Sequence, residues 1–226
     1  MARLASPPKP LITAVVNNYN YARYLRACID SVICQMASDT EIIVVDDGST
    51  DRTAELVRSL GADIRLIRQE NGGCGKATMT AFQAATTGVI AGLDADDIWL
   101  EHKMERQLQE LGQMPGVAAC FARMRQFRHG RDEDGPVTDA WIRSAMVIRT
   151  DVALGVGPMA GRIGDLIDWL ARAREQGHRM HLVPEVLALR RVRPGSLTYS
   201  RTAEGDSAYL LAARRAIMRR RASAAK

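Results

Sequence analysis

Asp94, Asp96 and Asp97 fall within four residues, directly after the apolar run Val89 to Leu93. Carboxylates gathered at the end of a buried strand repel one another. The usual compensation is a cation, either a metal ion or a basic side chain. A second acidic pair, Asp46-Asp47, ends the run Glu41-Ile42-Ile43-Val44-Val45 and opens the turn Gly48-Ser49-Thr50-Asp51, which can also cap a helix. Asn17-Asn18-Tyr19-Asn20 closes a third apolar run, Leu11 to Val16. Asn71-Gly72-Gly73-Cys74-Gly75 is a glycine-rich loop. Farther on, Asp165 and Asp168 stand three apart, a spacing that faces both the same way on a helix. Arg190, Arg191 and Arg193 make a basic segment near the end of the second half.

These groups need elements to position them. Leu11 to Val16, Glu41 to Val45, Ile64 to Ile67 and Val89 to Leu93 read as buried strands. Between them lie helical stripes: one from Tyr21 through Leu25, Cys28, Ile29, Val32, Ile33 and Met36, one from Thr53 to about Leu60 before Gly61, and one over Lys76 to Thr86. Short alternation of strand and helix predicts an α/β fold with a mostly parallel sheet, and ligands in such sheets bind beyond the carboxyl ends of the strands. Asn17 to Tyr19, Asp46-Asp47 and Asp94 to Asp97 all sit at such ends. The second half reads as a helix over Glu101 to Leu111, a strand over Val117 to Phe121 and a charged loop over Arg128 to Asp139. A strand over Ala145 to Ile148, a glycine-rich lid over Gly155 to Gly164 and a helix over Asp165 to Gln176 follow. Met180 to Val183 and Val186 to Leu189 are apolar segments divided by Pro184-Glu185, and Ala208 to Arg221 is a cationic helix. Asp97 reads as a cap for the segment of Trp99.

Laid side by side, VVNNYN (15–20), EIIVVDDGSTD (41–51), ENGGCGKA (70–77), VIAGLDADDIWL (89–100), GDLIDWLARAREQG (164–177) and LVPEVLALRR (182–191) resemble an inverting family 2 glycosyltransferase with the GT-A fold, a single Rossmann-like domain. The resemblance covers most of Leu11 to Arg193 and implies a nucleotide-diphosphate sugar donor, with a UDP-sugar favoured. It implies that Asp47 recognises the base, where a carboxylate can accept an imide N–H, and that Asn17 and Tyr19 pack around base and ribose. Asp94 and Asp96 match the DxD motif, with Asp96 as ligand of Mn2+ or Mg2+ and Asp94 nearer the ribose. Such an ion offsets the charge that builds on the departing diphosphate. Where relatives often carry an Arg-Asn pair this chain has Thr78-Met79, and Lys76 is the basic residue that can reach the same phosphate or base edge. Alignment on Asp168-Trp169 puts Asp165 and Leu166 where relatives often have Glu-Asp, so Asp165 is the candidate catalytic base, Asp168 the second, and an N-cap the competing role for Asp165. Arg193 stands where many relatives have His; an arginine cannot ligate a metal but binds phosphate directly.

Composition bounds the rest. The 226 residues carry a formal net charge of +5, but 13 of them, Arg214 to Lys226, hold six basic residues and no acid. The body is close to neutral, which argues against a nucleic-acid partner. The division expected is a lead-in over 1–10, a transferase domain over 11–205 with a donor half (11–100) and an acceptor half (101–205), and a basic helix or tail over 206–226. Residues 1–10 lack the apolar core of a signal peptide and no apolar run is long enough to span a bilayer, so the expectation is a cytoplasmic protein. Cys28, Cys34, Cys74 and Cys120 read as free, buried thiols. The basic tail reads as a frayed terminus, as a peripheral contact with the inner face of the membrane, or through its alanines as a homodimer contact. The resemblance implies an acceptor hydroxyl on a glycan, lipid or small molecule. The alternative to an active transferase is a nucleotide-sugar-binding protein of the same fold with little transfer activity, because Thr78, Leu166 and Arg193 replace residues the family often uses. A nucleotidyltransferase is disfavoured, since such enzymes place a glycine-rich basic signature after the first strand.

Overall fold

The computed structural model describes residues 12–35, 40–61, 63–128, 135–159, 164–193, 210–211, 214–219 and 221. The lead-in over 1–10 lies outside them, as does part of the expected lid over 155–164.

Four strands, β1 (Ile12–Asn18), β2 (Glu41–Asp46), β3 (Ile64–Arg68) and β4 (Val89–Asp94), form a parallel block in the order β3-β2-β1-β4. Helices α1 (Ala22–Ile33), α2 (Thr53–Ser59) and α3 (Cys74–Ala84) make the crossovers. Beyond β4 the sheet continues through β8 (Val147–Arg149), β6 (Val117–Phe127), β9 (Arg179–Arg191) and the two-residue β5 (Ile98–Trp99), with β7 (Val137–Ala140) paired to β6. β6 and β9 run parallel over their whole length, while β8 joins β4 and β6 antiparallel. Helices α4 (Lys103–Gln113), α5 (Thr150–Gly155) and α6 (Asp165–Glu175) complete the fold.

Alternation along the strands divides the core. Ile12, Ala14, Val16, Ile42 and Val44 face one side with Leu25, Ile29, Val57, Met104 and Leu111 from α1, α2 and α4. Val15, Ile43 and Val45 face the other side with Ala77, Phe82, Trp169 and Leu170 from α3 and α6.

Two segments differ from expectation. Met180–Val183 and Val186–Leu189 are one strand: Val183 pairs with Ala122 and Val186 with Arg123, so Pro184-Glu185 is an outward bulge and not a break. Proline has no N–H to give the ladder, and a bulge accommodates it. The charged stretch after Arg128 contains β7, which pairs Arg123 with Asp139 across the strands and adds an ion pair at 3.0 Å. Not every thiol is buried: all four cysteines are free, Cys28 and Cys120 are buried, and Cys34 is exposed.

Candidate functional site

Strand register assembles the first layer of the site. Asn17 lies opposite Asp94 across β1 and β4, and Asn18 opposite Asp46 across β1 and β2. All stand at the carboxyl edge of the parallel block.

The acidic turn after β2 is wired inward. Asp46 accepts from Ser49 N at 2.9 Å and from Arg68 Nε at 3.0 Å. Asp47 accepts from Gln69 Nε2 at 2.6 Å, Gly72 N at 2.9 Å and Gly73 N at 2.8 Å, so its carboxylate shapes the glycine-rich loop. Three donors leave one of its roughly four lone-pair positions free. Gly48 has φ +83°, and a Cβ there would lie 2.9 Å from Asn71 N, so glycine is what lets the loop close over the turn. Lys76, on the first turn of α3, is exposed and lies against Gly72; Tyr19 is exposed at the rim.

The acids after β4 have separate fates. Asp97 is buried, accepting from Ser144 Oγ at 2.6 Å and from Arg191 N at 2.9 Å. It caps no helix, because Trp99 continues as β5 and α4 begins at Lys103; instead it clamps the turn before β8 and the end of β9 onto β4. Burial and the adjacent Asp96 and Asp94 push its carboxyl up to about 8. Asp94 is pushed up to about 6, by burial above all, with Arg143 opposing. Asp96 is also raised by burial, against the pull of Arg193, whose Nε stands 3.6 Å from Asp96 Oδ2. Arg193 stacks on the Tyr21 ring at 4.4 Å, and its buried Nε and Nη2 have no hydrogen-bond partner among the described residues. Arg191 Nε donates to the Asp96 carbonyl at 3.0 Å and its guanidinium lies 4.5 Å over Tyr24. The basic segment therefore faces the acidic one directly.

A second centre, without a sequence motif, is built around Arg143. The turn 143–145 (Arg143–Ala145) packs on Gly92, where a Cβ would come within 2.8 Å of the Arg143 carbonyl. This brings the buried guanidinium to Thr78 Oγ1 at 2.7 Å and into an ion pair with Asp165. Asn17 Nδ2 donates to the same Thr78 hydroxyl at 2.8 Å, and Asn17 Oδ1 is buried without a partner among the described residues. Burial disfavours the charge on Arg143, yet Cys74, Asp165 and Asp94 around it hold it firmly protonated. Burial also pushes the Cys74 thiol up to about 12, so it is a neutral wall of the site. Asp165 is the first residue of α6 but provides no cap; Gly164 occupies that position with φ +72°. Asp168 points elsewhere, to Arg172 Nε at 3.2 Å and Arg219 Nη1 at 2.9 Å. Two layers thus come together, Asn17–Asp94–Asp96–Arg193 and Thr78–Arg143–Asp165, linked through Asn17 and the charge of Asp94. Sequence reading missed Arg143, Ser144 and Gln69, whose placement depends on distant segments.

Asp94 and Asp96 offer hard oxygen donors of the kind Mg2+ and Mn2+ take. Among the described residues no three His, Cys, Asp or Glu side chains converge to hold an ion unaided. The donor set fits an ion that completes its shell with diphosphate oxygens and water, as Mg2+ commonly does.

Comparison with known proteins bears on this arrangement. The S. aureus TarS 1-349 structure in complex with UDP-GlcNAc superposes with a TM-score of 0.74 at 17% identity, covering 89% of this chain and 65% of that one. The mannosyltransferase PcManGT of Pyrobaculum calidifontis, in complex with GDP-Man and Mn2+, gives 0.66 at 21% identity, covering 83% and 59%. These likenesses are of fold, and the fold is the GT-A arrangement that the sequence predicts. An uncharacterized glycosyltransferase of Nostoc sp. (strain PCC 7120) is 48% identical over 99 residues, 42% of this chain and 31% of that protein. Chondroitin synthase of Pasteurella multocida (strain Pm70) is 34% identical over 119 residues, 51% of this chain and 12% of its own length. The chain spans about a third of the first curated relatives it matches, 31% and 33%. Residues 13–158 match the family described as Glycosyl transferase family 2, a span that runs from β1 through β4 and the acids after it and past Arg143, and the chain belongs to that family.

Proposed function

We propose that this chain carries the donor site of an inverting glycosyltransferase, taking a sugar from a nucleoside diphosphate, with uridine favoured, and passing it to an acceptor hydroxyl. The observation that carries the reading is the ion pair of Asp96 with Arg193, whose buried Nε and Nη2 have no hydrogen-bond partner among the described residues, with Asn17 Oδ1 likewise unpaired at the same sheet edge. Asp96, with Asp94 beside it, would hold Mn2+ or Mg2+, which when bound supplies positive charge to the departing diphosphate. Arg193 adds a guanidinium fork to the same phosphates. Asp47 accepts the imide N–H of the base with its free lone pair, while Asn17 and Tyr19 flank base and ribose and Lys76 reaches phosphate from α3. Asp165 takes the proton of the acceptor hydroxyl as that oxygen attacks the anomeric carbon, and the electrons of the breaking bond leave with the diphosphate. Its contact with Arg143 ties it to Thr78 and Asn17 in the donor layer, whereas Asp168 is bound to Arg172 and Arg219. That contrast favours Asp165 over Asp168 as the base. UDP-GlcNAc and GDP-Man in the two solved relatives support a nucleotide-sugar ligand. The reading carries the cytoplasmic side as the site of action, since nucleotide sugars are the donor.

One observation favours the second reading, a binding protein with little transfer. Both candidate carboxylates are already engaged by arginine, a contact that has to give way before either can reach an acceptor hydroxyl. Titration calorimetry with UDP and GDP, with and without Mn2+, followed by a nucleotide-sugar hydrolysis panel, separates the two. Turnover supports transfer; nucleotide binding with no turnover across donors and acceptors supports the binder. Asp96→Asn is expected to remove the Mn2+-dependent part of the affinity, a loss of about tenfold or more. Unchanged affinity in that variant would remove Asp96 as the metal ligand.

A further inference from the structure

The C-terminal segment is tethered to the domain and presents a face that the transferase reading does not use. Residues 210–211, 214–219 and 221 are helical. Arg219 donates from Nη1 to Asp168 at 2.9 Å and from Nε to Glu175 at 2.8 Å. These two acids lie seven residues apart on α6, two turns along one side. Ala216, three residues before Arg219 and also partly covered, belongs to the same inward side. The opposite side is open. Leu210 is 70% exposed, Leu211 51%, Ile217 51% and Met218 60%. They make up four of the nine exposed large hydrophobics among the described residues, gathered in one short stretch. Arg214, Arg215 and Arg221 are exposed among them.

A solvated helix has no need of four bare apolar side chains. A nucleic acid would use the arginines and leave the leucines in water. A second copy of the same helix would bury the leucines but press like charges together. An anionic bilayer surface accepts both: the apolar side chains enter the acyl boundary while long arginine side chains reach back to the headgroup phosphates. We propose that this helix docks the protein on anionic phospholipid bilayers. The contact is interfacial, as no helix among the described residues is long and apolar enough to cross a membrane. Arg219, committed to α6, acts as the joint that holds the domain against the docked helix.

The test is co-sedimentation of the full chain with phosphatidylcholine vesicles, with and without phosphatidylglycerol, over a salt series. Binding is expected only with phosphatidylglycerol, and is expected to fall as salt rises. Arg214→Glu with Arg215→Glu is expected to weaken it by about fivefold or more for each arginine. Ile217→Asn with Met218→Asn is expected to weaken it about tenfold. All four side chains are exposed, so circular dichroism melts should match the unsubstituted chain; the salt series on the unsubstituted chain stands even if one variant misfolds. Equal binding to both vesicle types, or none to either, overturns the proposal. So does sedimentation equilibrium showing a dimer that Ile217→Asn dissociates, or RNA binding that competes with vesicles at equal strength. Vesicle binding is read without any donor, so its failure leaves the transferase reading untouched.

Discussion

A buried guanidinium is stable only while its partners stay in place. Arg143 is fixed by the Thr78 hydroxyl and by Asp165, and each of the two charged groups is nine-tenths removed from water. Removing one charge strands the other, at a cost of about 3–5 kcal/mol, whereas removing both restores an apolar contact. Arg143→Met alone is therefore expected to lower stability by about that amount, and Arg143→Met with Asp165→Leu by distinctly less. Urea denaturation of the two singles and the double closes the cycle; additive losses would show that the pair does not act as a unit. A lysine at 143 should recover part of the stability but not the Thr78 geometry, because it lacks the planar fork. The sequence announces this centre only in part. Asp94 and Asp96 are legible because motif and strand lie side by side in the chain, and Asp165 because a helix starts there. Arg143 sits in an undistinguished turn, and only the approach of that turn to Gly92 aims it at Thr78, 65 residues away. Asp97 was legible as an acid but not as a clamp, since Ser144 and Arg191 reach it through the sheet.

At the scale of elements, α4 carries a feature that periodicity does not explain. Lys103 is fully buried, its Nζ lies 4.3 Å from the centre of the Trp99 ring, and it has no hydrogen-bond partner among the described residues. Burial depresses its amine to about 7 from 10.5. Between those values the unfolded chain holds a proton that the native one does not, so this group makes stability rise with pH across that window. Below about pH 7 both states are charged and the native state bears the full desolvation cost. Lys103→Met should thus stabilise the protein, with the gain largest at about pH 6 and shrinking towards about pH 10. Thermal midpoints of both chains over that range measure it, and a gain independent of pH would sink the argument. Gln107, one turn on, is likewise incompletely paired: its amide nitrogen donates to the Cys120 and Ala145 carbonyls while its oxygen has no partner among the described residues. Strand and helix assignments in the first half follow the apolar pattern closely because the strands are short and bounded by turn residues, and β1, β2 and β4 are buried on both faces. In the second half β9 was hidden by Pro184-Glu185, a bulge whose parallel partner β6 lies about sixty residues earlier. Local sequence has no means of showing that pairing.

On the scale of the whole molecule, the first and second halves of the described chain do not form separate bodies. One sheet runs through both, joined where Ala91 pairs with Val147 and where β9 reaches back to β5. Each face of that sheet has a core drawn from both halves: Val117, Cys120 and Val147 pack with Ile12 and Val16, and Trp169 and Phe121 with Val15 and Ile43. At 226 residues a chain often unfolds in steps, because two-state behaviour is reliable mainly below about 150 residues. Shared cores argue the other way here, since neither half can open without exposing apolar surface on the other. Trp99 and Trp169 give the means to see this. Trp99 lies at the junction, its indole N–H donating to the Ser144 carbonyl at 3.1 Å, and Trp169 is buried on the inner face of α6 against Phe82. Urea unfolding followed by the fluorescence of single-tryptophan variants retaining either residue should superpose on the far-ultraviolet circular dichroism curve, with one midpoint. An earlier transition at Trp169 would mean that the second half opens independently. Superposition would mean that Asp165 is held to the donor layer for as long as the parallel block is folded.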